Sequence, residues 1–219
     1  MNWTDEGYLL SKSNFNENSL IIETFTLQHG KYSGIVYGGL SRKQKKFFQI
    51  GNKILLNLKS KGENKIGYFT IELIKAISPQ FFDDKRKSIC ILAASSILKI
   101  LLPERQINKK IYNSFEEFLN KLKNNDWIKL YIFWELSLMY ELGYSLNFND
   151  IDNSKSNIFL NEKNYKIPEL ITNKDNIKIS NDHIKEALSF NKNLLMDSII
   201  TPNKLKLPLS RNVLEKYYI

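Results

Sequence analysis

An α+β fold in two domains, a small five-stranded barrel followed by an α-helical domain, is what the sequence predicts. Three observations predict it. Up to about residue 78, short apolar runs alternate with period two between breaks rich in Gly and Asn. From about residue 83, apolar residues recur at helical spacing instead. Between the two regimes lies Ser78-Pro79-Gln80, where Pro79 restricts the residue before it and donates no ladder hydrogen bond. The domains expected are therefore 1–78 and 79–219.

Five strands are expected in the first part, at about Gly7–Ser13, Ser19–Leu27, Tyr32–Gly39, Lys53–Lys61 and Ile66–Ile77. Asn14–Asn18 separates the first two, and His29-Gly30-Lys31 reads as a hairpin turn before the third. Gly62-Glu63-Asn64-Lys65 makes the last hairpin. Five short strands with a long link between the third and fourth fit an OB-fold, and the pattern alone leaves an SH3-like barrel open.

The second part opens with an amphipathic helix carrying Ile89, Leu92, Ala93, Ser96, Ile97, Ile100 and Leu101, stopped by Pro103. A second helix near Ser114–Lys123 places Phe115, Phe118, Leu119 and Leu122 on one stripe. The third, about Asp126–Leu142, is apolar on nearly every face, which predicts the central helix of a bundle, with Gly143 as its C′ residue. Residues 145–179 are polar and Asn-rich, with a short hairpin expected around Ile158–Ile167. Helical spacing returns at Ile184, Ala187, Leu188, Leu194, Leu195 and Ile199, and a short last helix is expected after Pro208.

Composition narrows the chemistry. No apolar stretch reaches bilayer length and no basic-then-apolar leader opens the chain, so a soluble, cytosolic protein without membrane contact is expected. A single cysteine, Cys90, excludes an internal disulfide and a Cys-rich zinc site, and His29 and His183 stand in no metal-like spacing. No phosphate-cradling GxxxxGK[ST] loop, GxSxG elbow or dinucleotide-binding glycine motif is present, and Asp83-Asp84 and Glu116-Glu117 read as first-turn or surface charge. No catalytic residue, metal or cofactor is expected, and the protein is read as a non-enzyme.

The net charge of +9 and pI of 9.4 point to a polyanionic partner, discounted because a chain rich in Lys, Asn and Ile reflects AT-rich coding. Residues 1–78 hold eleven Lys/Arg against six Asp/Glu. In the fourth strand Ile54, Leu56 and Leu58 point to the core. Lys53, Asn57, Lys59 and Lys61 then face outward with Leu55, a stripe roughly 25 Å long at ~3.3 Å per residue. Just before it come Gly38-Gly39 and the basic loop Ser41–Lys46. The DNA-contacting candidates are Lys31, Arg42, Lys43, Lys45, Lys46, Lys53, Lys59 and Lys61. Tyr32, Tyr37 and Phe47 or Phe48 could stack on bases, although barrel core is the commoner fate of such residues.

An ordered set of short matches runs through the chain. Trp3-Thr4-Asp5-Glu6-Gly7-Tyr8-Leu9-Leu10-Ser11, Asn16-Glu17-Asn18, Phe25-Thr26, His29-Gly30-Lys31 and Tyr37-Gly38-Gly39-Leu40-Ser41-Arg42 come first. Gly51-Asn52, Leu102-Pro103-Glu104-Arg105, Trp134-Glu135-Leu136, Glu141-Leu142-Gly143-Tyr144 and Leu207-Pro208-Leu209-Ser210-Arg211 follow. Together they resemble the bacterial DNA repair protein RecO family. The resemblance implies an N-terminal OB-fold and a helical C-terminal domain. It implies binding of single- and double-stranded DNA, annealing of complementary strands, and work with RecR and the C-terminal tail of single-strand-binding protein in loading RecA. A cytoplasmic, nucleoid-associated location is expected.

Two departures from the family pattern stand out. Where some members carry a four-cysteine zinc insert after the segment matched by Gly143–Phe148, this chain reads Asn149-Asp150-Ile151-Asp152-Asn153-Ser154. The insert near 147–180 is therefore expected to be metal-free, held by packing or partly mobile. Basic residues that some relatives place before the Trp134-Glu135-Leu136 match are Ile132 and Phe133 here. A tail pocket would then draw on Leu136 with Lys129 or Arg105. The competing readings are an RNA-binding OB module and an adaptor for acidic protein tails.

Overall fold

The computed structural model describes residues 1–41, 44, 47–62, 66–144, 157–160, 163–172 and 179–218. These form two compact units, 1–113 and 114–219.

The first unit is built on a closed barrel of β1 (Asn2–Asn14), β2 (Ser19–Thr26), β3 (Gly30–Tyr37), β4 (Lys53–Lys59) and β5 (Gly67–Lys75) in the order β1-β2-β3-β5-β4. Neighbours pair antiparallel except β3 and β5, which run parallel and close the sheet after the long β3–β4 link. This is the OB-type arrangement the strand count suggested. Strand β1 serves two neighbours. Its Asn2–Tyr8 half pairs with β4 and its Gly7–Asn14 half with β2, with a register shift between Leu9 and Ser11. An extra residue there bends the strand so that one strand turns the barrel's corner. Inside lie Leu9, Leu20, Ile22, Tyr32, Val36, Phe48, Ile54, Leu56, Leu58 and Phe69. The expected parity of β4 holds, with Ile54, Leu56 and Leu58 at most 1% exposed.

The expected boundary at 78 marks the end of the barrel but not of the compact unit. Helix α1 (Lys85–Leu101) packs against β1, so the unit continues to Asn113. Asp84 caps α1 by accepting from the Lys87 amide at 3.1 Å, which starts the helix four residues before the apolar stripe announces it. Leu102 ends it in extended conformation, as a residue before proline must be. A 3-10 turn, Ser78–Phe81, lies between barrel and helix.

Two adjacent residues hold that junction. Gly51 has φ +87°, and a Cβ on it would stand 2.4 Å from the Ile91 side chain of α1. Asn52 is fully buried; its Oδ1 accepts from the amides of Ile77 (2.9 Å) and Ser78 (3.3 Å), and its Nδ2 donates to the Phe47 carbonyl. The Ser78 hydroxyl donates to the Ile50 carbonyl.

In the second unit, α2 (Lys109–Lys121), which crosses the boundary, contributes Phe115, Phe118 and Leu119 to the core, followed by Leu122 beyond its end. Helix α3 (Trp127–Glu141) is the central element the all-round apolar pattern predicted, with Trp127, Ile128, Tyr131, Ile132, Trp134, Leu136, Leu138 and Met139 all buried. Trp134 lies 5.7 Å from Phe115 and 5.3 Å from Phe118, ring to ring. Gly143, at φ +82°, ends α3 where expected. The expected hairpin is present as β6 (Asn157–Leu160) and β7 (Lys163–Lys166). Short α4 (Glu169–Thr172) follows. Helix α5 (Asn181–Leu195) continues into a π-helical turn, Met196–Ile200. His183 serves α5 as half of a reciprocal cap with Ser180. After Pro208 comes α6 (Leu209–Lys216).

The unit is pinned by a buried ion pair. Arg211 of α6 donates through Nε to Glu135 Oε1 (2.6 Å) and through Nη2 to Glu135 Oε2 (3.0 Å), both residues being fully buried. Tyr131 and Asn191 donate to the same carboxylate, and Arg211 donates to the Leu188 carbonyl. Burial pulls the guanidinium pKa down, but the charge of Glu135 more than reverses this and keeps Arg211 ionised.

Candidate nucleic-acid interface

The eight basic candidates separate into three groups. Arg42, Lys43, Lys45 and Lys46 lie outside the described residues. Lys31 and Lys53 are committed inside the first unit. The Lys31 side chain is only 10% exposed; its ammonium donates to the Lys99 carbonyl at 2.8 Å and faces Glu104 at 3.5 Å. Lys53 pairs with Glu6 at 2.8 Å, its ammonium about 6 Å from the Tyr8 and Tyr112 ring centres. A continuous stripe from Lys53 to Lys61 is therefore not what the outer face of β4 presents. Strand β1 runs beside β4 and brings Glu6 opposite Leu55, which neutralises the Lys53 end.

The third group is Lys59 and Lys61. Both are exposed, and among the described residues neither has an ion-pair partner. Lys59 is the last residue of β4 and Lys61 falls in the turn beyond it, so the strand is shorter than the expected Lys53–Lys61. Along β4 itself, the exposed lysine is the one at its Lys59 end.

At that end stand two aromatic residues. Tyr68 of β5 is the register partner of Lys59. It points outward because Gly67 and Phe69 on either side point into the barrel. Tyr37, the last residue of β3, reaches it across the parallel β3–β5 seam. Their ring centres are 4.9 Å apart and their planes differ by 18°. Tyr37 is 59% and Tyr68 39% exposed. A hydrogen bond to Tyr68, then slight burial, holds the Tyr37 hydroxyl above its usual pKa.

Of the four aromatic candidates, only Tyr37 is exposed. Tyr32 and Phe48 are core residues and Phe47 is partly buried. Tyr68 is not among the residues expected from the sequence, although strand parity against inward Phe69, Ile71 and Leu73 carries the signal.

The residues considered for a partner-tail pocket fall in different units. Arg105 is exposed, with φ +59° and its guanidinium 5.1 Å from the centre of the Tyr32 ring. In the second unit Lys129 is half-buried. Leu136 is 1% exposed and belongs to the interior of the α3 packing, so it lines no open groove. That unit does hold an open groove of about 1150 Å³ between β7 and the start of α5. Lys166 and Lys185 share its walls with Glu169, Asp182 and Glu186, and none of Leu136, Lys129 and Arg105 lines it. Cys90 is buried in α1. Among the described residues no group of three His, Cys, Asp or Glu side chains is placed to hold a metal, and no helix is long and apolar enough to cross a membrane. The insert Asn149–Ser154 lies outside the described residues.

Comparison with known proteins gives these features a lineage. Residues 1–77 match the family model described as recombination protein O N terminal, and residues 83–178 match recombination protein O C terminal. A DNA repair protein RecO from Roseobacter denitrificans is 33% identical over 147 residues, 67% of this chain and 61% of that protein. The RecO of a Wolbachia of Drosophila simulans is 34% identical over 149 residues, with the same coverage, and that of Cereibacter sphaeroides is 33% identical over 147. The matched stretch thus spans about three-fifths of these relatives' length. Among solved structures, Entamoeba histolytica asparaginyl-tRNA synthetase is similar at 12% identity over 94% of this chain and 59% of that one, with a TM-score of 0.31, too low to bear on the fold. With both halves matched in order, the chain belongs to the RecO family of DNA repair proteins.

Proposed function

We propose that this chain is a non-enzymatic mediator of recombinational repair that binds single- and double-stranded DNA through the barrel and anneals complementary strands. In this reading it works with RecR on DNA coated by single-strand-binding protein and assists the loading of RecA. The observation that carries it is the pair of exposed lysines at the end of β4 and in the turn after it, Lys59 and Lys61, on a barrel of the RecO family. The basic run Arg42–Lys46 follows β3 in the sequence by only a few residues. Annealing requires no covalent chemistry: two polyanions approach more closely when cations lie between them.

The test is binding of a labelled oligonucleotide at several salt concentrations, followed by annealing to its complement. Lys59→Glu with Lys61→Glu is expected to weaken single-strand binding and flatten the salt slope by about 1.4, at ~0.7 per phosphate contact. An unchanged affinity and slope would move the site away from this end of the barrel. No binding of wild-type protein to DNA at low salt sinks the whole reading.

A further inference from the structure

We propose that Tyr37 and Tyr68 form a base-stacking platform through which the barrel prefers single-stranded over duplex DNA. The inference rests on the DNA-binding reading above and assigns that site its aromatic component.

Exposure is the first observation. Tyr8, Phe25, Tyr32, Phe48 and Phe69 of the barrel are at most 5% exposed and Trp3 and Phe47 are partly buried, whereas Tyr37 and Tyr68 keep 59% and 39% of their surface in solvent. Phe15, 51% exposed, stands apart in the link after β1. Two aromatic side chains on an outer sheet face cost solubility and contribute nothing to the barrel core. Geometry is the second. The rings lie nearly parallel at 4.9 Å, so each covers one face of the other and the outward faces extend the same stack. Tyr37 is paired in register with Ser19 of β2, and Tyr68 with Ile35 across the seam and Lys59 on the other side, so the platform is preorganised.

Charge is the third observation, and it selects the occupant. Lys59 lies directly beside Tyr68 in register, Lys61 follows two residues on, and neither has an ion-pair partner among the described residues. An aromatic face with cations beside it matches a polymer that alternates π-surfaces with phosphates. A single strand offers its base faces freely. A duplex hides them between neighbouring pairs, so a platform of this kind contacts it only after unstacking. An acidic peptide would use the lysines without the rings.

Three double variants test the proposal: Tyr37→Ala with Tyr68→Ala, Tyr37→Leu with Tyr68→Leu, and Tyr37→Phe with Tyr68→Phe. Each is titrated by fluorescence anisotropy against labelled oligo-dT, a mixed-sequence duplex of equal length and a labelled poly-glutamate peptide, at several salt concentrations. The Ala and Leu pairs are expected to lose about 5- to 100-fold in affinity for oligo-dT, the range of one or so lost stacked bases, with an unchanged salt slope. Duplex and peptide binding should change by less than about twofold, and the Phe pair should bind oligo-dT like wild type. Should the Ala pair fail to fold, as seen by thermal melting, the Leu and Phe pairs decide the matter. Oligo-dT affinity unchanged in the Leu pair, or lost equally for oligo-dT and duplex, overturns the platform while leaving DNA binding intact. Oligo-dT binding by wild type that is no tighter than its poly-glutamate binding overturns it as well, in favour of an acidic-tail surface. Failure of wild type to bind any DNA removes the underlying reading and the platform together.

Discussion

At the scale of single residues, the pair Glu135–Arg211 explains two sequence matches that look functional. Trp134-Glu135-Leu136 and Leu207-Pro208-Leu209-Ser210-Arg211 lie more than 70 residues apart, and the structure joins them as one fully buried, bidentate ion pair. Glu135 accepts from Tyr131, Asn191 and Arg211, so its charge is matched by donors on α3, α5 and α6. Glu135→Gln is expected to lower stability by about 3–5 kcal/mol in urea denaturation, since it leaves a buried guanidinium without its counter-charge. Replacing both partners, Glu135→Leu with Arg211→Met, should restore much of that loss. A double variant as unstable as the single one would show that packing, not charge, sets the cost.

Lys53 and Lys59 teach the same lesson on the barrel. They alternate correctly on one face of β4, yet Glu6 neutralises one and leaves the other open.

At the scale of elements, helix α1 docks on the barrel only because Gly51 lets it approach. With φ +87° and the Ile91 side chain 2.4 Å from any added Cβ, Gly51→Ala meets both backbone strain and a clash. A loss of about 1–3 kcal/mol is expected in chemical unfolding. Asn52→Ala should act at the same junction, by leaving the buried Ile77 amide and the half-buried Ser78 amide without their acceptor.

The β6–β7 hairpin is tied to the π-helical turn by Asp197, which accepts from Lys163 and from the Tyr165 hydroxyl, each at 2.7 Å. The Lys163 bond and then the Tyr165 bond hold the Asp197 carboxyl below its ordinary 3.8. A lowered folded value contributes stability above the ordinary pKa and loses it as pH falls through the folded one. Amide-exchange protection in the hairpin should therefore be flat from neutral pH down to about 4 and decline below it. Burial first, and then the bond to Asp197, push Tyr165 up to about 12, so its contribution is lost only in strong alkali. Asp197→Asn should abolish the acid-dependent step; a step that survives the substitution belongs to another carboxylate.

At the scale of the whole molecule, positive charge is a property of the chain and not of one patch. The net +9 is partly consumed by ion pairs such as Lys31–Glu104, Lys53–Glu6 and Lys99–Glu23. Counting lysines therefore overstates the number of phosphates the molecule can neutralise. The salt slope for single-strand binding should be correspondingly shallow. With one cysteine, and that one buried, no Cys-rich zinc site can form. Chelator or added zinc should leave the melting temperature within about 1 °C, and a larger shift would place a site on residues other than the cysteine.

The sequence by itself determined the five-strand barrel, the order of the helices, the inward parity of Ile54, Leu56 and Leu58, and the central place of α3. These follow from hydrophobic period, proline and glycine, which act within a few residues. It also carried the family, because an ordered set of short matches is a property of the chain. Only the tertiary structure decided which lysines are available, that α1 belongs with the barrel, that Leu136 is interior, and that Tyr37 meets Tyr68 across a parallel seam. Each of those depends on which strand or helix lies beside which, and pairing between residues thirty or more apart leaves no mark in local spacing.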